Sequence, residues 1–446
     1  MDGQLLVRMY NVGLGDCIYL RVPDKNKDVH ILIDCGNKFS ELSLLGERIA
    51  ELKRELPPAD QGRKRLDLLV VTHPHEDHHK GFEDEFFKDL KIEHIWLSPA
   101  FNRLDPKAQG FHALQDAARR ALTGLSETAL GDIKAEVDDL LRLSKDEAIE
   151  TLNHSLPEKS GITPLYVSAD TPAEKLKIFD DPKIELKVLG PMGDIDKYYL
   201  GGEGLPNAVS AGTSQELADG YNAMFSAPKS AEIKPPRNIS AQDFKQLTGR
   251  MHANALAAAE VAGHAVNNLS VVLLLEWHGR RLLFPGDAEW NGADKGALKE
   301  GRSNGSWNVM WKERKDDLSE PLDFLKIGHH GSENATPWTG KKSKVGEEHP
   351  INQILDALLP RPQGNKAPKA QAVASTERTE RWPSIPDAAL LAEIGSRVAN
   401  ARKVYKEVST SPKAAKANTP QPQRTDLEDQ STGGPVDCIE VTFDPL

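Results

Sequence analysis

The chain has 446 residues and a formal net charge of -11, which suits one large α/β domain with insertions or two to three ordinary domains, and argues against a broad basic surface that coats nucleic acid or anionic membrane. Cys17, Cys35 and Cys438 are an odd set without C-x-x-C spacing, so neither a disulfide framework nor a thiolate zinc site is indicated. The opening MDGQLLVRMYNVGLGDCIYL lacks the basic start and unbroken apolar core of a signal peptide, and apolar runs such as Val271 to Leu275 are too short to span a bilayer; a reduced, cytoplasmic protein with no membrane partner is expected.

In chain order, residues 4–35 read as a hairpin-like start: QLLVRMYNV, then CIYLRVP, then VHILIDCG, parted by Gly or charged turns. ELSLLGERIAELKREL, 41–56, has apolar residues at three- and four-residue spacing and stops before Pro57, which predicts an amphipathic helix. LDLLVV and IEHIWLS are the next strands, and the alternation of strand and helix indicates a layered α/β fold. Residues 101–160 read as a helical insertion. Phe111, Leu114, Ala118, Leu122 and Leu125 share one helical face, Ile133, Val137, Leu140 and Leu141 another, and Ser144 with Glu147 forms a capping box.

PLYVSA and IELKVLGP return to strand character. Residues 192–262 read as a loop-rich insertion, abundant in Gly, Ser, Ala and Pro and ending in a helix near 241–262. LSVVLLLEW, a turn at Gly279 and RLLFPGD make a hairpin. Then come QAVAST, a Ser384-capped helix PDAALLAEIG, KVYKEV, a polar loop over 411–435 and the last strand DCIEVTF. The whole chain, 1–446, reads as one domain, with no internal repeat of fixed period.

Chemistry concentrates in LDLLVVTHPHEDHHKG, 66–81, where His73, His75, Asp77 and His78 follow H-x-H-x-D-H. At a strand end alternate side chains point the same way, so His73 and His75 can converge on one point. A helix starting at Glu76 would turn Asp77 and His78 toward a second point nearby. Neutral imidazoles with a carboxylate suit zinc and its first-row neighbours. The alternative is a solvated loop of clustered charges, but burying such groups without a partner costs several kcal/mol each, on the order of 2–7. Asp287, in RLLFPGDAE, and His329 with His330, in DFLKIGHHGS, likewise follow a strand and a glycine.

THPHEDHHKG, FPGDAE and KIGHHGS, in that order, resemble the metallo-β-lactamase superfamily, in particular the branch related to the soluble nuclease-like domain of the DNA-uptake competence protein ComEC. NVGLGDCIYL with HILIDCG, NNLSVVLLLEW and AVASTERTERWPSIPDAALLAEIG resemble that branch too. The likeness spans residues 5–100, 161–191 and most of 265–446, and leaves both insertions uncovered. It implies an αββα sandwich, two mixed sheets between helix layers, carrying the helical insertion. It also implies two divalent ions, zinc or manganese: His73 and His75 on one, Asp77, His78 and His329 on the other, with Asp287 bridging both. Asp77 and His330 are the expected catalytic groups, His330 facing substrate.

The first metal of this superfamily takes one more histidine at a place that here reads AVNNLS. Asn267, Asn268 and nearby His264 are the candidates, with a plain helix-end histidine as the other reading of His264. Asp34 and Asp16 each end a strand near the expected site; they orient a ligand histidine through its other ring nitrogen, or serve as turn residues.

The expected activity is hydrolysis by a metal-bridged hydroxide, since a bound divalent ion lowers the pKa of water from 15.7 to about 7. A phosphodiester of nucleic acid or a nucleotide is the first expectation, which makes the protein a phosphodiesterase or nuclease. GRKR at 62–65 and KKSK at 341–344 either border such a substrate's path or are merely solvated. Lactone or thioester hydrolysis is the alternative on the same scaffold. A third reading is a regulated interaction protein with a covered site, whose insertions act as a lid or as a docking surface for a protein partner.

Overall fold

The computed structural model describes residues 3–113, 115–116, 147–200, 264–291, 305–340, 348–364, 367–403, 420–426 and 436–446. Strands run as β1 (Leu5–Tyr10), β2 (Ile18–Pro23), β3 (Asp28–Ile33), β4 (Lys64–Val71), β5 (Leu90–Leu97), β6 (Leu165–Tyr166), β7 (Ile184–Gly190), β8 (Val272–Trp277), β9 (Arg280–Phe284), β10 (Phe324–Lys326), β11 (Gln371–Ala374), β12 (Arg402–Lys403), β13 (Pro420–Gln421), β14 (Gln423–Arg424) and β15 (Cys438–Phe443). They build two mixed sheets, ordered β15-β1-β2-β3-β4-β5-β6 and β14-β11-β10-β9-β8-β7, beside a small β12-β13 pair. The early strands form a meander: β1 pairs with β2 and β2 with β3, both antiparallel.

Period-two alternation explains how each strand divides its side chains. Val7 and Met9 of β1, Leu68 and Val70 of β4, and Leu273 and Leu275 of β8 join one buried cluster shared by both sheets. Leu6 and Tyr10, with Leu69 and Val71, instead pack on the other side of the first sheet against Leu45, Ile49 and Leu52. Val272 and Leu274 point away from the shared cluster, toward Met310, Leu355 and Ile394 on the far side of the second sheet. Strand β8 is buried on both faces over Val272–Leu275, hence the apolar run there, before Glu276.

Helix α1 (Leu42–Glu55) buries Leu45, Ile49 and Leu52 at the spacing read from the sequence, each worth roughly 1.5–3 kcal/mol. The helix Ala388–Gly395 is capped not by Ser384 but by Asp387, whose carboxylate accepts from the Leu390 amide at 2.8 Å. The helix starts later than expected, at Ala388, which puts Asp387 directly before it, where its side chain reaches a free amide. Of the helical insertion, Phe111 is buried and residues 147–160 are helical. Leu114, Ala118, Leu122, Leu125, Ile133, Val137, Leu140, Leu141 and Ser144 lie outside the described residues, as do the helix near 241–262, KKSK at 341–344, nearly all of KVYKEV and most of 411–435. No helix among the described residues is long and apolar enough to cross a membrane.

Strands β3, β4 and β5 are mutually parallel in the first sheet, as are β9, β10 and β11 in the second. Backbone bonds stitch the segments beyond their C-terminal ends together. The Val271 amide donates to Thr72 O at 2.9 Å, Cys35 to His78 O at 2.9 Å and Asp16 to Asp77 O at 3.0 Å. Gly36 is required there, because a Cβ would run into the His78 amide and the Asp77 carbonyl carbon. This close approach seats the short helix α2 (Glu76–His79) at the strand ends.

His30 of β3 is buried, with Nδ1 2.7 Å from the Tyr19 hydroxyl. Burial holds its pKa below the ordinary 6.5, against an upward pull from Asp67. The folded state therefore excludes a proton that the unfolded chain accepts. This contribution to stability is complete above about 6.5 and is lost as pH falls toward the folded value. Unfolding free energies measured across that window should decline less steeply in His30→Gln than in the parent; identical slopes would count against the assignment.

Candidate metal centre

His73, His78 and Asp287 are buried and offer ligand atoms within 4.8 Å of one another; Asp77, His78 and His330 do the same. The four segments arrive from β4, α2, β9 and β10, so two sheets contribute. Asp287 Oδ2 is the point of convergence. It lies 3.1 Å from His78 Nε2, 3.7 Å from His73 Nε2 and 3.8 Å from His329 Nε2. His75 joins through Nδ1, 3.0 Å from His73 Nε2.

The surrounding groups determine which ring nitrogens face inward. His78 Nδ1 lies 2.8 Å from Asp34 Oδ2, and the same carboxylate accepts from the Thr72 amide and hydroxyl, both at 2.7 Å. Burial pushes the Asp34 pKa up, although three donors on two oxygens are what an ionised carboxylate accepts. Having given its hydrogen to Asp34, the Thr72 hydroxyl accepts from His73 Nδ1 at 3.1 Å. His330 Nδ1 donates to Ser375 O at 3.0 Å. In all three neutral rings Nε2 then carries the lone pair, the form a metal ligand needs.

Two of those lone pairs meet carboxylate oxygens. His78 Nε2 faces Asp287 Oδ2 at 3.1 Å, and His330 Nε2 faces Asp77 Oδ2 at 3.2 Å. Facing acceptors need a proton or a cation between them. Asp77 Oδ1, Asp287 Oδ2 and His78 Nε2 are moreover buried without a hydrogen-bond partner, so the donor set fits a cation. Without one, the charges respond to each other: burial lowers the His78 pKa, but Asp287 and Asp34 outweigh it and hold the imidazole well above its usual value. Burial and the His78 charge drive His73 well below, and burial with Lys38 brings His75 to about 3.

The adjacent histidines are arranged differently from the sequence expectation. His330, expected to face substrate, is 2% exposed and sits with Asp77 and His78. His329, expected beside Asp77 and His78, is 24% exposed, and its Nδ1 lies 3.3 Å from Glu289. Both residues have positive φ, 41° and 53°, as does Asp34 at 57°, and these strained dihedrals set the ring directions.

The three candidates for a further ligand turn elsewhere. Asn268 Oδ1 accepts from the Glu289 and Ser306 amides, and its Nδ2 donates to His264 O. Asn267 donates to Glu289 at 2.8 Å, and His264, 57% exposed on its side chain, pairs with the same carboxylate at 2.8 Å. Glu289 is thus a residue the sequence reading passed over, two places beyond Asp287. Burial raises its pKa, but bonds to His264 and His329 prevail and bring it to about 2.

Asp16 forms a buried ion pair with Lys326 and accepts from the Ser375 hydroxyl, whose carbonyl accepts from His330 Nδ1. Lys38, buried beside Asp77 at 3.6 Å, is a further cation the sequence reading did not single out. GRKR does not border the site. It leads into β4, its strand residues about 25 Å away from His73, with Arg63 on Asp60 at 2.7 Å and Arg65 on Asp67 at 3.0 Å.

Asp34→Asn should weaken any divalent-cation affinity of the site about ten- to a hundred-fold, because one amide oxygen cannot replace a carboxylate that accepts three bonds. A competitive chelator titration reads this directly, and unchanged affinity would remove Asp34 from the role. No protein-family model matches the chain, and no curated protein matches it.

Proposed function

We propose that this protein is a metal-dependent hydrolase with a metallo-β-lactamase-type αββα sandwich, acting on phosphodiesters of nucleic acid or nucleotides. The observation that carries the reading is the convergence of His73, His78 and His329 on one oxygen of Asp287, next to a second group of Asp77, His78 and His330. The order of the three sequence motifs and their likeness to the ComEC-related branch support the same assignment. His73, His75 and Asp287 would hold one divalent ion, and Asp77, His78 and His330 the other, with Asp287 close to both. Bound there, such ions activate water at neutral pH and offset charge on the group attacked.

The remaining chemistry belongs to the chain. Asp34, Thr72 and Ser375 hold the Nδ1 protons and keep each Nε2 turned inward. Lys38, beside Asp77, adds a positive charge against the phosphoryl oxygens. His329 takes the substrate-facing part that the sequence assigned to His330. Burial lowers its pKa, but Asp287 and Glu289 raise it further, which suits the ring to deliver a proton to the leaving oxygen.

The test is metal analysis of the purified chain and of His75→Ala, with turnover of single-stranded DNA, RNA and bis-p-nitrophenyl phosphate in zinc or manganese. Metal-dependent phosphodiester cleavage, lost with the metal in the variant, is expected. A metal-loaded protein that cleaves thioesters or lactones and leaves every phosphodiester intact would transfer the assignment to acyl hydrolysis.

A further inference from the structure

The rim beside Asp77 carries an aromatic pair that the chemistry above leaves unused. Phe39 is 51% exposed, and its φ of 65° lies in the left-handed region that bulky residues seldom adopt. A phenyl ring held out to solvent on such a backbone adds little to the fold. Its centroid lies 5.1 Å from that of Trp382, which arrives on the loop after β11. Each ring has its own cation: Arg381 lies 5.6 Å from the Phe39 centroid and Lys38 Nζ 4.9 Å from that of Trp382.

The same Lys38 ammonium is 3.6 Å from Asp77 Oδ2, so one side chain links the aromatic surface to the candidate metal centre. An aromatic surface edged with positive charge and adjoining an anion-accepting centre matches a flat heteroaromatic ring tethered to a phosphate. Bases stack on such rings whatever their sequence, and the cations add attraction. We infer that Phe39 and Trp382 form a stacking platform for a nucleobase next to the scissile phosphate, selecting nucleotidyl esters over simple alkyl ones. The inference rests on the phosphodiesterase reading and narrows its substrate class.

The experiment compares kcat/KM for thymidine 5′-(p-nitrophenyl phosphate) and methyl p-nitrophenyl phosphate, which share a leaving group and differ in the nucleoside. The parent protein should prefer the nucleoside ester, and Phe39→Ala or Trp382→Leu should cut that preference about ten-fold, with Trp382→Phe restoring most of it. An unchanged preference, or equal losses on both esters, overturns the platform. If the parent cleaves neither these esters nor the DNA, RNA and bis-p-nitrophenyl phosphate of the first test, the phosphodiesterase reading fails, and binding decides the platform separately. Fluorescence anisotropy would then compare a labelled oligothymidylate with an abasic strand of equal length. Tighter binding of the base-bearing strand that Phe39→Ala abolishes keeps the platform, and equal binding of the two strands overturns it.

Discussion

Asp287→Ala should strip the protein of divalent metal and lower phosphodiester turnover about a thousand-fold or more. Its Oδ2 is the atom on which His78, His73 and His329 converge at 3.1, 3.7 and 3.8 Å, and its Oδ1 accepts the His329 amide at 3.1 Å. Removing the carboxylate therefore takes away the shared anion and loosens the turn that carries His329. Both effects act on the same site. The carboxylate sits on a loop after β9 rather than within either sheet, so the fold should survive, and circular dichroism would establish that. Metal per chain by emission spectrometry and turnover by p-nitrophenol release should fall together. A folded variant that retained parental metal content and rate would sink the proposed centre.

Lys326→Met should destabilise the fold by about 3–5 kcal/mol, the second large effect. Lys326 is wholly buried at the end of β10 and ion-paired with Asp16, which is 1% exposed. Taking away Lys326 leaves the buried Asp16 carboxylate without its cation and with the Ser375 hydroxyl as a neutral donor, which costs far more than the pair contributes. The double variant Asp16→Asn with Lys326→Met should recover much of the loss, since it leaves no lone charge. Denaturant midpoints of the parent, of Lys326→Met and Asp16→Asn singly, and of the double variant measure the coupling. Additive losses would mean that the two residues act separately.

The legible part of the fold rested on local pattern. Strand β8 reads as strand because its run Val272–Leu275 is apolar on both faces, and α1 reads as helix because Leu45, Ile49 and Leu52 recur at helical spacing. The Ser384 cap was misplaced because the cap depends on where the helix begins, and the preceding chain delays that start. Glu289 had a visible signal, an acid two residues past Asp287 on one loop. Lys326 had only a weak one, a lysine interrupting an apolar strand, and its partner lies 310 residues away.

By itself the sequence determined which residue types gather at strand ends: the histidines and acids of H-x-H-x-D-H, Asp287, and the pair His329 and His330. Spacing along a strand or a turn is a local property, and local properties survive in one dimension. Only the tertiary structure decided which of the paired histidines turns inward, that Asn267, Asn268 and His264 serve Glu289, and that Lys38 stands between Asp77 and Trp382. Those outcomes depend on left-handed dihedrals at His329 and His330 and on contacts between segments far apart in the chain, where packing and buried charge override any preference a short stretch carries.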